Sequence, residues 1–122
     1  MTPTISDAES VVMEILWQRQ PLAADEVVAA LAGRQDWAEP TIKTLLNRLL
    51  KKGAIRAERD GRRYLYSPVL RREAWVSDES ESLLQRLFDG RLAPLVAHFG
   101  EQRKLSPQDI AELRRLIKEF DK

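Results

Sequence analysis

Pro40-Thr-Ile-Lys-Thr-Leu-Leu-Asn-Arg-Leu-Leu-Lys-Lys-Gly53 decides how this chain is read. Its apolar residues Ile42, Leu45, Leu46, Leu49 and Leu50 recur at i, i+3, i+4, i+7 and i+8, so on an α-helix they form one stripe. Thr41, Lys43, Thr44, Asn47, Arg48, Lys51 and Lys52 occupy the other face. Pro40 suits a first helical turn because it has no N–H to leave unpaired, and Gly53 suits a left-handed stop. The outer face, with hydroxyls, an amide and cations, meets the needs of a duplex groove. Cations neutralise phosphates, and Asn, Arg and Thr bond to base edges. An ordinary amphipathic helix with a solvated face has the same pattern, so the flanking sequence has to separate the two.

Downstream of Gly53 the period falls from 3.6 towards 2. Ala54 to Arg59 and Arg63 to Ser67 read as strands joined by Asp60-Gly61-Arg62, a strong hairpin signal. Upstream, Ser6-Asp-Ala-Glu9 is a capping box. Ala8, Val11, Val12, Ile15 and Leu16 then predict a helix from Asp7 to Gln18 that Gln20-Pro21 breaks. Ala24, Val27, Val28 and Leu31 predict a short second helix, with Asp25 and Glu26 where the helix dipole favours acids and Gly33 as its end. Trp37, in the loop from Arg34 to Glu39, is expected to plug the junction between helices. Three helices followed by a basic-tipped hairpin is the winged helix-turn-helix order, with the third helix as the one that enters the major groove. Arg62 and Arg63 would reach an adjacent phosphate or the minor groove from the wing.

Charge supports this assignment. Residues 43 to 63 carry eight basic side chains against two acids, a local excess of +6 in a chain whose formal charge is +1, which leaves −5 for the rest. Such an excess is an electrostatic footprint for a polyanion.

Pro68 marks the expected boundary between residues 1–68, a winged-helix DNA-binding domain, and residues 69–122, a helical dimerisation domain. Arg71 to Phe88 looks helical, with Leu83, Leu84, Leu87 and Phe88 at its apolar end and Asp89-Gly90 as the stop. Leu92, Leu95, Val96 and Phe99 form a second helical face. Ser106-Pro-Gln-Asp109 is a helix start, followed by Ile110, Leu113, Leu116, Ile117 and Phe120. Three apolar stripes are too many to bury in so small a unit, whereas two copies could bury them against each other. Leu105 joins that dimerisation set.

The fold class expected is mainly α with a small β-hairpin wing. In 122 residues, 32% are charged and 43% hydrophobic, the balance of a globular chain. No run of eighteen apolar residues predicts a membrane span. The start, Met1-Thr-Pro-Thr-Ile-Ser6, lacks the regions of a signal peptide. Without cysteine there are no disulfides or thiolate metal sites, and a cytoplasmic location is expected. The one histidine, His98, beside Phe99 on an apolar helix, reads as a packing or surface residue rather than a catalyst. Asp78, Glu79 and Glu81 read as a solvated acidic face. The scattered glycines form no phosphate loop, so no catalytic residue, metal site or cofactor is expected.

The chain resembles the BlaI/MecI penicillinase-repressor family of bacterial transcription regulators. The resemblance rests on Ile5-Ser-Asp-Ala-Glu9 with Val12-Met13 and Leu16-Trp17, and on Trp37 before Thr41-Ile-Lys-Thr-Leu-Leu-Asn-Arg-Leu49. It continues through Lys51-Lys-Gly53, Gly61-Arg62-Arg-Tyr64 with Tyr66 and Pro68, Leu87-Phe-Asp-Gly90, and Leu105-Ser106 with Asp109-Ile110. It implies a homodimer on a palindromic TACA/TGTA-type operator. It also implies release when a membrane sensor protease cuts the C-terminal region at an Asn–Phe bond, where this chain reads His98-Phe99. The copper-responsive branch uses a cysteine-rich tail, and without cysteine that route is not expected here. Thr44 and Arg48 are then the expected base-edge residues, and Lys51, Lys52, Arg62 and Arg63 the expected phosphate contacts. Two rival readings use the same fold: a module that docks a protein partner, and a regulator that senses a small ligand.

Overall fold

Helix α1 (Asp7–Gln18) begins where its capping box demands: the Ser6 hydroxyl accepts from the Glu9 N–H at 3.1 Å, and the Glu9 carboxylate accepts from the Ser6 N–H at 2.7 Å. The computed structural model describes residues 2–122; Met1, within the N-terminal stretch considered above, lies outside the described residues. After α1 come β1 (Leu22–Ala23), α2 (Ala24–Leu31), α3 (Glu39–Lys52), β2 (Ile55–Asp60), β3 (Arg63–Pro68), α4 (Arg72–Phe88), α5 (Leu92–Glu101) and α6 (Pro107–Phe120). The described residues divide into two compact units between Val76 and Ser77.

The first unit is a winged helix. Val12, Met13, Ile15 and Leu16 of α1, Val27 and Leu31 of α2, and Ile42, Leu45, Leu46 and Leu49 of α3 bury into one core. The apolar stripe of α3 faces inward, with Leu50 half-buried at its edge. Trp37 packs half-buried against the same core. Gly53 stops α3 at φ +75°, a conformation that disfavours any residue with a Cβ.

The sheet is larger than the expected hairpin. It has three antiparallel strands in the order β1-β3-β2, with Leu22 opposite Tyr66 and Ala23 opposite Leu65. In the wing, Asp60 pairs with Arg63, so Gly61 and Arg62 alone form the turn. Gly61 has φ +64° at the first of the two turn positions, where a two-residue hairpin favours glycine. The Arg59 guanidinium donates to the Gly61 carbonyl at 3.1 Å and lies 5.9 Å from the centre of the Tyr64 ring.

The unit runs past Pro68. Leu70 is buried in the core, the Trp17 indole N–H donates to the Leu70 carbonyl at 2.9 Å, and Trp17 and Trp75 stack with ring centres 5.4 Å apart. Arg72 donates to Glu14 at 2.9 Å. These contacts hold the first turns of α4 to α1.

Glu9 is the one buried charged residue among those described, at 1% exposure. Burial by itself raises its pKa. Hydrogen bonds from Lys52 and Ser6, with the Lys52 charge, outweigh that and hold the carboxyl below its ordinary value of 4.5. A carboxyl whose folded pKa lies below its unfolded one stabilises fully above the unfolded value, and loses that stabilisation as pH falls through the folded one. The urea midpoint is therefore expected to hold steady between about pH 7 and pH 5 and to drop below about pH 4.5. Glu9→Gln should make that drop shallower; an equally steep drop in the variant would assign it to other carboxyls.

The second unit holds the rest of α4, with α5 and α6. Ser106 caps α6 as expected: its hydroxyl accepts from the Asp109 N–H at 3.0 Å, the Asp109 carboxylate accepts from the Ser106 N–H at 3.1 Å, and Pro107 takes the first position. Asp89 (φ +52°) and Gly90 (φ +76°) end α4. None of α4, α5 and α6 has a fully buried residue.

Candidate nucleic-acid interface

Burying Ile42, Leu45, Leu46 and Leu49 leaves α3 one way to face, and that choice exposes Thr41, Lys43, Thr44, Asn47, Arg48 and Lys51 together. The Thr44 hydroxyl donates to the Pro40 carbonyl at 2.9 Å, so its proton is used within the helix. Its lone pairs and methyl remain for a base edge. The Lys43 ammonium lies 3.2 Å from Glu39 in an exposed i, i+4 pair. Such pairs are worth little and yield readily to a phosphate. Among the described residues, Arg48, Lys51 and Arg62 have no ion-pair partner.

Two of the expected phosphate contacts are placed differently from their neighbours. Lys52, on the flank of the buried stripe, turns to Glu9, with Nζ 2.5 Å from Oε1. Arg63 lies between Glu26 (3.8 Å) and Asp60 (3.6 Å) in exposed pairs that, like that of Lys43, yield readily to a phosphate. Glu26 also accepts the Ala23 N–H at 2.9 Å, which joins β1 to α2. A small cleft of about 280 Å³ lies where α2, α3 and the wing meet, lined by Asp25, Glu39, Lys43, Arg63, Tyr64 and Tyr66 among others. The charge partners Glu9 and Glu26 went unrecognised in the sequence, where both read only as residues favourable at a helix start. The spacing of a cap carries no sign of a partner on another element.

The residues expected to mediate dimerisation share another character. Leu83, Leu87, Leu92, Phe99, Ile110, Ile117 and Phe120 are exposed in the single chain, while Phe88, Leu95, Val96, Leu105, Leu113 and Leu116 are half-buried. Between α5 and α6 an apolar groove of about 810 Å³ is lined by Leu92, Val96, Leu105, Ile110, Leu113, Leu116, Ile117 and Phe120 with a few neighbours. His98 and Phe99 lie inside α5, and the imidazole sits 6.3 Å from the Phe88 ring and 5.5 Å from that of Phe99. No group of three or more His, Cys, Asp or Glu that could hold a metal ion occurs among the described residues. No helix among them is long and apolar enough to cross a membrane.

Known proteins resemble this chain over nearly its whole length in sequence and over the winged helix in structure. The family model described as penicillinase repressor matches residues 5–119. The penicillinase repressor of Bacillus licheniformis is 36% identical over 117 residues, which cover 96% of this chain and 91% of that protein. The methicillin resistance regulatory protein MecI of Staphylococcus aureus (strain N315) is 31% identical over 116 residues, 95% of this chain and 94% of that one. Among solved structures, the DNA-binding domain of the repressor BlaI superposes with a TM-score of 0.55 at 38% identity, covering 59% of this chain and 88% of that one. The monomeric form of Bacillus licheniformis BlaI in complex with the blaP half-operator gives 0.54 at 37% identity, covering 60% and 89%. With a family model spanning both units and the winged helix matched in structure, this chain belongs to the penicillinase repressor family.

Proposed function

We propose that this protein is a DNA-binding transcriptional repressor that acts as a homodimer on a palindromic TACA/TGTA-type operator in a β-lactam-resistance-type regulon. The observation that carries the proposal is the outer face of α3. Thr41, Lys43, Thr44, Asn47, Arg48 and Lys51 stand exposed together, beside a wing tipped by Arg62, on a fold whose relative was solved on a half-operator. Thr44 and Arg48 read base edges, Thr41, Lys43 and Asn47 support them, and Lys51, Arg62 and Arg63 contact phosphates. The winged helix, read as residues 1–68, supplies DNA binding, and residues 69–122 supply dimerisation.

The exposed leucines, isoleucines and phenylalanines of α4 to α6 support a second copy as the partner. A twofold dimer presents two recognition helices and therefore calls for a palindrome. Release by a membrane sensor protease fits cleavage at His98–Phe99. That bond lies within α5, so the protease has to bind it locally unwound. The chain would work in the cytoplasm, where operator and protease meet.

Selection of bound duplexes from random DNA tests this reading. A palindrome with TGTA-like half-sites is expected, and enrichment without a dyad, or none at moderate salt, would overturn it. Arg48→Ala is expected to cost about 1–3 kcal/mol of binding and to relax specificity at one operator position. In a repeated selection, an unchanged site would remove Arg48 from the base-reading set.

A further inference from the structure

Two consecutive lysines end α3 and have different surroundings. Lys51 is exposed and has no ion-pair partner among the described residues. Lys52 turns to Glu9, whose Oε1 accepts from Lys52 Nζ at 2.5 Å and from the Ser6 N–H at 2.7 Å. Glu9 Oε2 is buried without a hydrogen-bond partner. The Lys52 side chain is still 38% exposed while that of Glu9 is 1% exposed. The pair thus joins the last turn of the recognition helix to the first turn of α1.

We infer that Glu9 is a positioning residue that withholds Lys52 from DNA phosphates and pins the C-terminal turn of α3, leaving Lys51 as the phosphate contact at that end. This rests on the DNA-binding reading above. The inequality behind it is physical. If Lys52 moved to a phosphate, Glu9 would keep an uncompensated charge in the interior, with one oxygen already unsatisfied. A phosphate contact made near solvent returns less than that loss. Lys52 therefore remains with Glu9 when DNA binds, and the recognition helix keeps its seat on α1.

Counterion release makes the difference measurable, because each phosphate neutralised contributes about −0.9 to the slope of log affinity against log salt. The experiment measures that slope on random-sequence duplex DNA for the wild type, Lys52→Met, Glu9→Gln, the double variant and Arg62→Ala as a reference for one lost phosphate contact. Lys52→Met is expected to keep the wild-type slope, whereas Arg62→Ala flattens it by about 0.9. In Glu9→Gln the amide oxygen still accepts the Ser6 N–H, so the cap survives, but Lys52 is released. That variant should steepen the slope by about 0.9, and the double variant should return it to the wild-type value. A purely structural Glu9 would lower stability and leave the slope of Glu9→Gln at the wild-type value. Circular dichroism at the binding temperature checks that each variant is folded; if Glu9→Gln is not, Lys52→Met against Arg62→Ala decides. Flattening by Lys52→Met, or an unchanged slope in folded Glu9→Gln, overturns the inference while leaving DNA binding intact. A wild type that fails to bind duplex at low salt removes the DNA-binding reading and the inference with it.

Discussion

Ile117→Asp is expected to convert the protein to monomers and to weaken binding to a full palindromic site about a hundred- to ten-thousand-fold, while binding to a half-site is unchanged. Ile117 is 64% exposed in the single chain and lines the apolar groove between α5 and α6. A carboxylate there meets water in the monomer and so leaves the fold of the chain intact. Across a twofold interface the same change places two unpaired carboxylates in apolar surroundings, each costing several kcal/mol. The large loss on DNA follows from linkage. In a dimer the second half-site is bound at a high effective concentration, and a monomer loses that advantage without losing one contact to a base. Sedimentation velocity and a titration of full and half operators are the measurements. A variant that remains dimeric would move the interface off this groove, and a monomer that keeps full-site affinity would remove dimerisation from operator binding.

Leu49→Ala carries the largest expected loss of stability, about 2–5 kcal/mol. Leu49 is fully buried in the core that α1, α2 and α3 share. Its removal leaves a cavity in a core whose other members are tied to helices and can collapse only in part. For a unit of this size, each kcal/mol corresponds to about 4–8 °C in Tm. Since domains of this kind have about 5–15 kcal/mol in total, the variant sits near the margin of folding. Leu50→Ala, at the half-buried edge of the same stripe, should lose much less. Urea denaturation of the pair gives the comparison. Equal losses would mean that the rotation of α3, and with it the identity of the exposed face, differs from the one described.

That rotation was legible in the sequence, and so was most of the winged helix. The stripe Ile42, Leu45, Leu46, Leu49 sets which side of α3 is buried, because hydrophobic burial acts on whatever periodicity the chain presents. The starts of α1 and α6 follow from Ser6 with Glu9 and Ser106 with Asp109, and the wing turn from the glycine at 61. All are local signals, complete within about four residues.

What needed the tertiary structure are contacts between residues far apart in the chain. Strand β1 is two residues long, too short to show alternation, and exists only because β3 offers it a partner at Leu65 and Tyr66. The first unit extends past Pro68 because Trp17 donates to a carbonyl 53 residues away and Leu70 fills the core. Lys52 and Lys51 are identical by composition and adjacent by position; only the packing of α1 on α3, 43 residues apart in sequence, brings Glu9 under one of them. The sequence by itself determined the helices and the wing hairpin, which face of each helix is apolar and, through its motifs, the family. The tertiary structure alone decided which cations of α3 and the wing have a carboxylate partner, because a charge's partner depends on distance in space, and periodicity along the chain carries no record of it.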